Sequence, residues 1–256
     1  DKFINSDEFL NGQICKINER IMQPILGKST CIIVEKYPLN RDDLLSCYQK
    51  AGPLFRDENE EKILSNNQNI KVINNHNSHQ FMVAIITSLY KGGKYIKSFL
   101  KNMVNQTIFS QCQLIIIDAQ SPENERKIIE KYCLKFPNIK YLRCDEKIGI
   151  YDAWNLGINH SNTEFITNAN VDDLHRKDAL ELKVKALRDN PNVDVAYSDV
   201  YYSLIPNFPF EKVAQCGLKT NLPIANKENL MLFNSPHNAP LWRRNIHEKI
   251  GYFNTK

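Results

Sequence analysis

Apolar positions along the second two-thirds of the chain change their period several times. Phe81–Thr87 (FMVAIIT) is a short apolar run of strand length. Tyr95–Asn105 then places Ile96, Phe99, Leu100 and Met103 at helical spacing. Leu114–Asp118 (LIIID) is continuous and β-branched, the pattern of a strand buried on both faces. Glu123–Phe136 predicts a helix, with Ser121 as its N-cap and Pro122 at the first helical position. Ile139–Arg143 reads as a strand, Tyr151–His160 as a short helix and Phe165–Asn168 as a strand. Arg176–Asn190 is a helix stopped by Pro191, and Val193–Tyr197 is a further strand. Strands alternating with helices of this length pair in parallel through right-handed crossovers, so the chain is predicted to be α/β with a mainly parallel sheet.

The polar run Asn74–His79 separates a segment 1–75 of uncertain role from a domain 80–256. In the first segment, Cys31–Glu35 reads as a strand and a helix is predicted from about Asn40. Gly27-Lys28-Ser29-Thr30 is a fragment of a phosphate-binding loop. Met22 stands where that loop needs glycine, and a strand rather than a helix follows, so the match is rejected.

Composition narrows the function classes. Hydrophobic content of 42% and charged content of 24% are those of an ordinary globular protein. A net charge of +4, without a basic stripe interleaved with aromatics, argues against nucleic acid. It suits an anionic ligand or an anionic membrane surface only weakly. No apolar run is long enough to span a bilayer, and Asp1–Leu10 has no signal-peptide pattern. The seven cysteines occur singly, with no Cys-x-x-Cys pair, which predicts reduced thiols in a cytoplasmic protein rather than a zinc site.

In parallel α/β sheets, ligands bind beyond the carboxyl ends of the strands. There the sequence places Thr87, Ser88, Tyr90, Lys91, Gly92 and Gly93 after the first strand and Asp118 after the second. Asp145, Glu146, Lys147, Gly149, Asp152 and Asn155 follow the third, and Asn168, Asn170, Asp172 and Asp173 the fourth. A single Asp after a strand is as often a cap or turn residue, and Asp172 or Asp173 could cap the next helix. Two adjacent acids beside two asparagines form a set of hard oxygens suited to Mg2+ or Mn2+ with substrate phosphates.

Four stretches in order resemble the inverting family-2 glycosyltransferases of the A-type fold, from about Phe81 to Phe253: VAIITSLYKGGKYIKSFLKNMVNQT, LIIIDAQSPEN, GIYDAWNLGI and EFITNANVDDLHRKDALE. The resemblance implies a three-layer α/β/α domain with a Rossmann-like sheet. It implies a nucleotide-diphosphate sugar as donor and a glycan or glycolipid as acceptor. Thr87, Ser88 and Tyr90 fall where the family meets the nucleotide, and Asp118 matches the first Asp of its Asp-Asp pair, with Ala119 replacing the second. Gly149, Ala153, Asn155 and Gly157 match its Gly-x-x-x-Ala-x-Asn-x-Gly helix, which also carries Asp152. Asn170-Val171-Asp172-Asp173 matches Asp-x-Asp-Asp. Asp172 is then the metal residue and Asp173 its neighbour or a sugar contact, while Asn170 removes one charge and weakens cation affinity. In SPHNAPLWRRNIHEKIGYF, which resembles the acceptor side of some members, Pro240, Trp242, Arg243 and His247 stand out. Trp242 reads equally as core or as a sugar-stacking ring, and Arg243 or Arg244 as a phosphate partner or a solvated charge.

The family's general base follows this stretch, so it is expected beyond Lys256, with the domain truncated there. Asp199 is the internal rival. The resemblance also implies polysaccharide or glycolipid synthesis in the cytoplasm, at the inner face of a membrane through peripheral association. A nucleotidyltransferase of similar fold and a degenerate nucleotide-sugar-binding module are the alternatives. The first would want a fuller glycine-rich basic loop than Lys91–Lys94.

Overall fold

The computed structural model describes residues 71–73, 80–215, 219–223 and 239–255, with single positions 229, 232 and 236. The strand and helix predicted at 31–35 and from about 40 lie outside these residues, as does the rejected loop at 27–30. The chain divides into two units, and the elements below belong to the one formed by Arg56–Val200 and Pro206–Lys256.

The described strands are β1 (Lys71–Ile73), β2 (Val83–Leu89), β3 (Cys112–Asp118), β4 (Ile139–Arg143), β5 (Phe165–Asn168), β6 (Val195–Ala196) and β7 (Leu241–Arg243). They form one sheet in the order β1-β4-β3-β2-β5-β7-β6. The central strands β4, β3, β2 and β5 are parallel, whereas β1, β7 and β6 enter through antiparallel pairings. The helices are α1 (Ile96–Val104), α2 (Arg126–Cys133), α3 (Ile150–Asn159), α4 (Ala179–Asp189), α5 (Phe210–Gln215) and α6 (Ile246–Ile250).

Strand alternation sorts the core into two layers. Val83, Ile85, Leu89, Leu114, Ile116 and Tyr141 face α1, α2 and α4 through Phe99, Met103, Ile129 and Leu187. The opposite face, with Ala84, Ile86, Ile115 and Ile117, packs against Ala153 and Ile158 of α3 and against Trp242. The architecture is therefore three-layer α/β/α around a mainly parallel sheet. Cys112 and Cys144 are buried free thiols whose ionisation burial opposes, pushing them up to about 12 and about 11.

Three boundaries differ from the sequence reading. Helix α2 begins at Arg126, not near Pro122. Ser121 lies five residues before that start: its hydroxyl accepts from the Lys91 N–H at 2.9 Å and the Glu123 N–H at 3.4 Å, and donates to Glu125 at 2.8 Å. Helix α4 begins at Ala179, since Arg176 and Asp178 pair with each other before it. The strand expected at Val193–Tyr197 is only Val195–Ala196, and β7 lies between it and β5.

Candidate functional site

Four loops meet at the carboxyl edge of the parallel strands. After β2, Tyr90 projects outward with 38% of its surface exposed, and Lys91 takes the left-handed backbone with φ 54. Ala119 N–H donates to the Leu89 carbonyl at 2.9 Å. The next three backbone N–H groups are held by side chains of the β3–α2 loop. Lys91 donates to Ser121 Oγ at 2.9 Å, Gly92 to Glu125 Oε1 at 2.8 Å and Gly93 to Glu123 Oε2 at 2.7 Å.

Gly92 is glycine because of its neighbours. A Cβ there would lie 2.5 Å from Leu89 Cδ1 and 3.2 Å from Val171 Cγ1. That close approach seats the Tyr90 loop on the residue between Asn170 and Asp172. From the third loop, Lys147 Nζ sits 4.4 Å from the Tyr90 ring centroid, a cation–π distance. Gln120 donates to the Asp145 carbonyl, joining the second loop to the third. Ser88, Tyr90, Gly149, Asp152, Asn170, Asp172 and Asp173 are exposed or half-buried along this edge. Gly149 opens α3, and its N–H donates to Asp152 Oδ2 at 3.2 Å, so Asp152 is occupied as a helix cap.

Among the described residues no ion pair reaches Asp172 or Asp173. Asn170 Nδ2 donates to Asp173 Oδ2 at 3.0 Å, while Asp172 is exposed. Burial and the adjacent Asp172 push the Asp173 carboxyl up to about 6, against the Asn170 bond. Asn168 Oδ1, at the end of β5, is a buried acceptor with no hydrogen-bond partner. Crowded carboxylates and an orphaned hard oxygen fit a divalent cation. Among the described residues no group of three or more His, Cys, Asp or Glu is placed to hold a metal ion.

Other expected site residues are committed elsewhere. Asp118 has 0% exposure; Oδ1 accepts the Ser121 N–H at 2.7 Å, and Oδ2 accepts from Tyr141 and Arg143. It braces the loop from within and has no open oxygen for a base. Thr87 is also at 0%, its hydroxyl enclosed under the sheet face that carries α1 and α2. Asn155 clamps the late chain instead of a ligand: its amide donates to the Phe253 carbonyl at 2.8 Å and accepts the Phe253 N–H at 2.9 Å.

On the expected acceptor side, Trp242 is 5% exposed, lies in the core and donates through Nε1 to His247 Nε2 at 2.9 Å. Its ring thus stands among the core residues packed against α3. Arg243 donates to the carbonyls of Leu187, Asn190 and Val193, so it closes the C-terminal end of α4 rather than meeting an acceptor. Pro240 is half-buried. Asp199 suits a base poorly. Burial opposes its ionisation, but the Leu222 N–H, Lys219 and Thr220 together hold its carboxyl below the usual range.

Sequence reasoning missed Tyr141, Arg143 and Glu125. The first two had a signal: at i and i+2 on β4 they share the face that Asp118 occupies on β3, and Asp118 pairs in register with Arg143. Glu125 had only the Ser121 hydroxyl four residues before it, while the Gly92 N–H it holds lies 33 residues away.

Residues 84–251 match the sequence profile of the family described as Glycosyl transferase family 2. Among curated relatives, the chain is 22% identical to "Glycosyltransferase GlyG" of Streptococcus pneumoniae over 120 residues, covering 47% of this chain and 39% of GlyG. It is 24% identical over 131 residues to "Minor teichoic acid biosynthesis protein GgaB" of Bacillus subtilis, covering 50% of this chain and 15% of GgaB. The chain thus spans less than half the length of either. Among solved structures, the mannosyltransferase PcManGT of Pyrobaculum calidifontis, in complex with GDP-Man and Mn2+, aligns with a TM-score of 0.52 at 16% identity. The alignment covers 83% of this chain and 55% of that one, and it supports the same fold.

Proposed function

Because the chain belongs to glycosyl transferase family 2, we propose that it moves one sugar from a nucleotide-diphosphate donor to an acceptor hydroxyl with inversion. The carrying observation is the contact of Gly92 with Val171, which puts the aromatic loop of β2 against the acidic loop of β5. Tyr90 offers the ring for the nucleotide, with Ser88 beside it, and Lys147 and Lys91 bring positive charge to the same edge. The GDP-Man and Mn2+ in the aligned mannosyltransferase support a donor and a cation of these classes.

Asp172 and Asp173 would hold a divalent cation, which supplies positive charge to the departing diphosphate when bound. Asn170 keeps Asp173 oriented through its 3.0 Å hydrogen bond. In-line attack by the acceptor hydroxyl requires a general base. Asp199, already tied to three donors, does not serve. The name of GgaB, a minor teichoic acid biosynthesis protein, supports a role in polysaccharide synthesis.

Titration calorimetry with a panel of nucleotide sugars, with and without Mn2+, tests the reading. We expect one nucleotide class to bind, more tightly with Mn2+, and Asp172→Ala to remove the Mn2+ enhancement. Binding of no nucleotide under either condition would sink the proposal. Binding without any transfer to a glycan or glycolipid acceptor would favour a binding module.

A further inference from the structure

The outer layer formed by α1 and α2 carries an unbalanced positive charge. Between Leu89 and Asp118 the chain has four lysines and no acidic residue. Lys97 and Lys101 stand on the exposed side of α1, and Lys127, Lys131 and Lys135 on or just after α2. Both helices bury their apolar sides on the same sheet face, through Phe99 and Met103 in one and Ile129 in the other, so their outer sides form one surface. Lysines of this set form no ion pair among the described residues, whereas Arg126 pairs with Glu130, and Glu123 is turned to the Gly93 N–H. Five lysines therefore stand on this surface without an ion-pair partner among the described residues. Among them stands Leu134, 88% exposed, between Lys131 and Lys135.

We propose that this α1–α2 face docks on an anionic lipid bilayer, with the lysines at the headgroups and Leu134 entering the interface. Lysines adjacent to such a surface are attracted within about a Debye length, and lysine clusters read as contacts for anionic lipid. The bare leucine selects a bilayer over a soluble polyanion, which would gain nothing from an apolar side chain. Lys101 and Lys131 stand in the last turns of their helices and Lys135 just beyond, at the ends away from the carboxyl-edge loops, so the surface and the sugar chemistry are separable. Among the described residues no helix is long and apolar enough to cross a membrane, so attachment here is peripheral.

The test is co-sedimentation of the intact chain with vesicles of pure phosphatidylcholine or of phosphatidylcholine with 30% phosphatidylglycerol, at low and at physiological salt. Binding is expected only to the anionic vesicles, weakening as salt rises. Lys97→Gln with Lys101→Gln, and separately Lys127→Gln with Lys131→Gln, should each lower the partition coefficient by roughly 25-fold, from about fivefold per lysine. Leu134→Ser should lower binding to vesicles but leave binding to long-chain polyphosphate unchanged. Calorimetric donor binding by each variant should match the parent, which separates failure of this surface from failure of the donor site. Equal binding to both vesicle types, no vesicle binding, unchanged partition in both lysine pairs, or polyphosphate binding alone would each overturn the proposal.

Discussion

Gly157 sits in the helix that resembles a ligand-binding motif, and its surroundings give it a packing role with a measurable size. A Cβ at that position would lie 2.3 Å from Ile86 Cγ2 and 3.0 Å from Ile86 Cγ1, against an ordinary carbon–carbon separation of about 3.5–4.0 Å. Ile86 is 1% exposed on the central strand β2 and is β-branched, so it cannot swing clear without leaving its rotamer. Gly157→Ala should therefore introduce about 3 kcal/mol of overpacking strain, at the upper end of the usual range. The alanine returns about 1 kcal/mol through helix propensity. The net loss is about 2 kcal/mol, or a fall in Tm of roughly 4–8 °C.

Ile86→Ala alone should cost about 2–5 kcal/mol through the void it leaves. In the double variant the added methyl enters that void, so it should be no less stable than Ile86→Ala alone, a coupling of about 2 kcal/mol. Urea unfolding of all four proteins at constant m-value is the assay. Additivity to within about 0.5 kcal/mol would refute the packing argument. So would a Gly157→Ala protein that keeps its stability but loses donor affinity, since that places the glycine at the ligand.

Stability should fall as pH rises from about 4 to above 6, through the contribution of Asp173: its folded carboxyl, near 6 against an ordinary 3.8, binds more protons than the unfolded one in that window. Added Mn2+ should reverse this, raising Tm more at pH 7 than at pH 5, and Asp173→Asn should flatten both trends. Trp242→Phe should leave transfer rates per folded molecule unchanged, while Trp242→Ala should cost about 3–5 kcal/mol in stability. A loss of acceptor affinity in the stable Phe variant would restore the ring to the acceptor side.

The parallel core was legible because burial on both faces leaves a direct trace. LIIID in β3 and VAIIT in β2 admit no polar residue on either side until the carboxyl edge. The convergence of the loops after β2, β3, β4 and β5 followed from that topology. Which polar residues remain open there did not follow. Asp118 and Asp172 are both acids after buried strands, but only Asp118 has Tyr141 and Arg143 waiting on the adjacent strand. Asn155 looked like a ligand contact because its partner, Phe253, lies 98 residues away. β7 was missed for a similar reason: three residues, Leu241–Arg243, are too few to show a period, and their place between β5 and β6 depends on pairings distant in sequence.

The insertion of β7 also orders events during synthesis. β5 is complete at Asn168, yet the strand that covers its outer edge begins only at Leu241, roughly 70 residues later. At about 5–20 residues per second, the ribosome takes ~4–15 s to supply it. Through that interval a nascent chain holding β2 to β5 presents an apolar, unpaired edge, the feature that recruits other strands. Chaperone capture should concentrate on chains paused between β5 and β7 and end once Trp242 can reach Ile166.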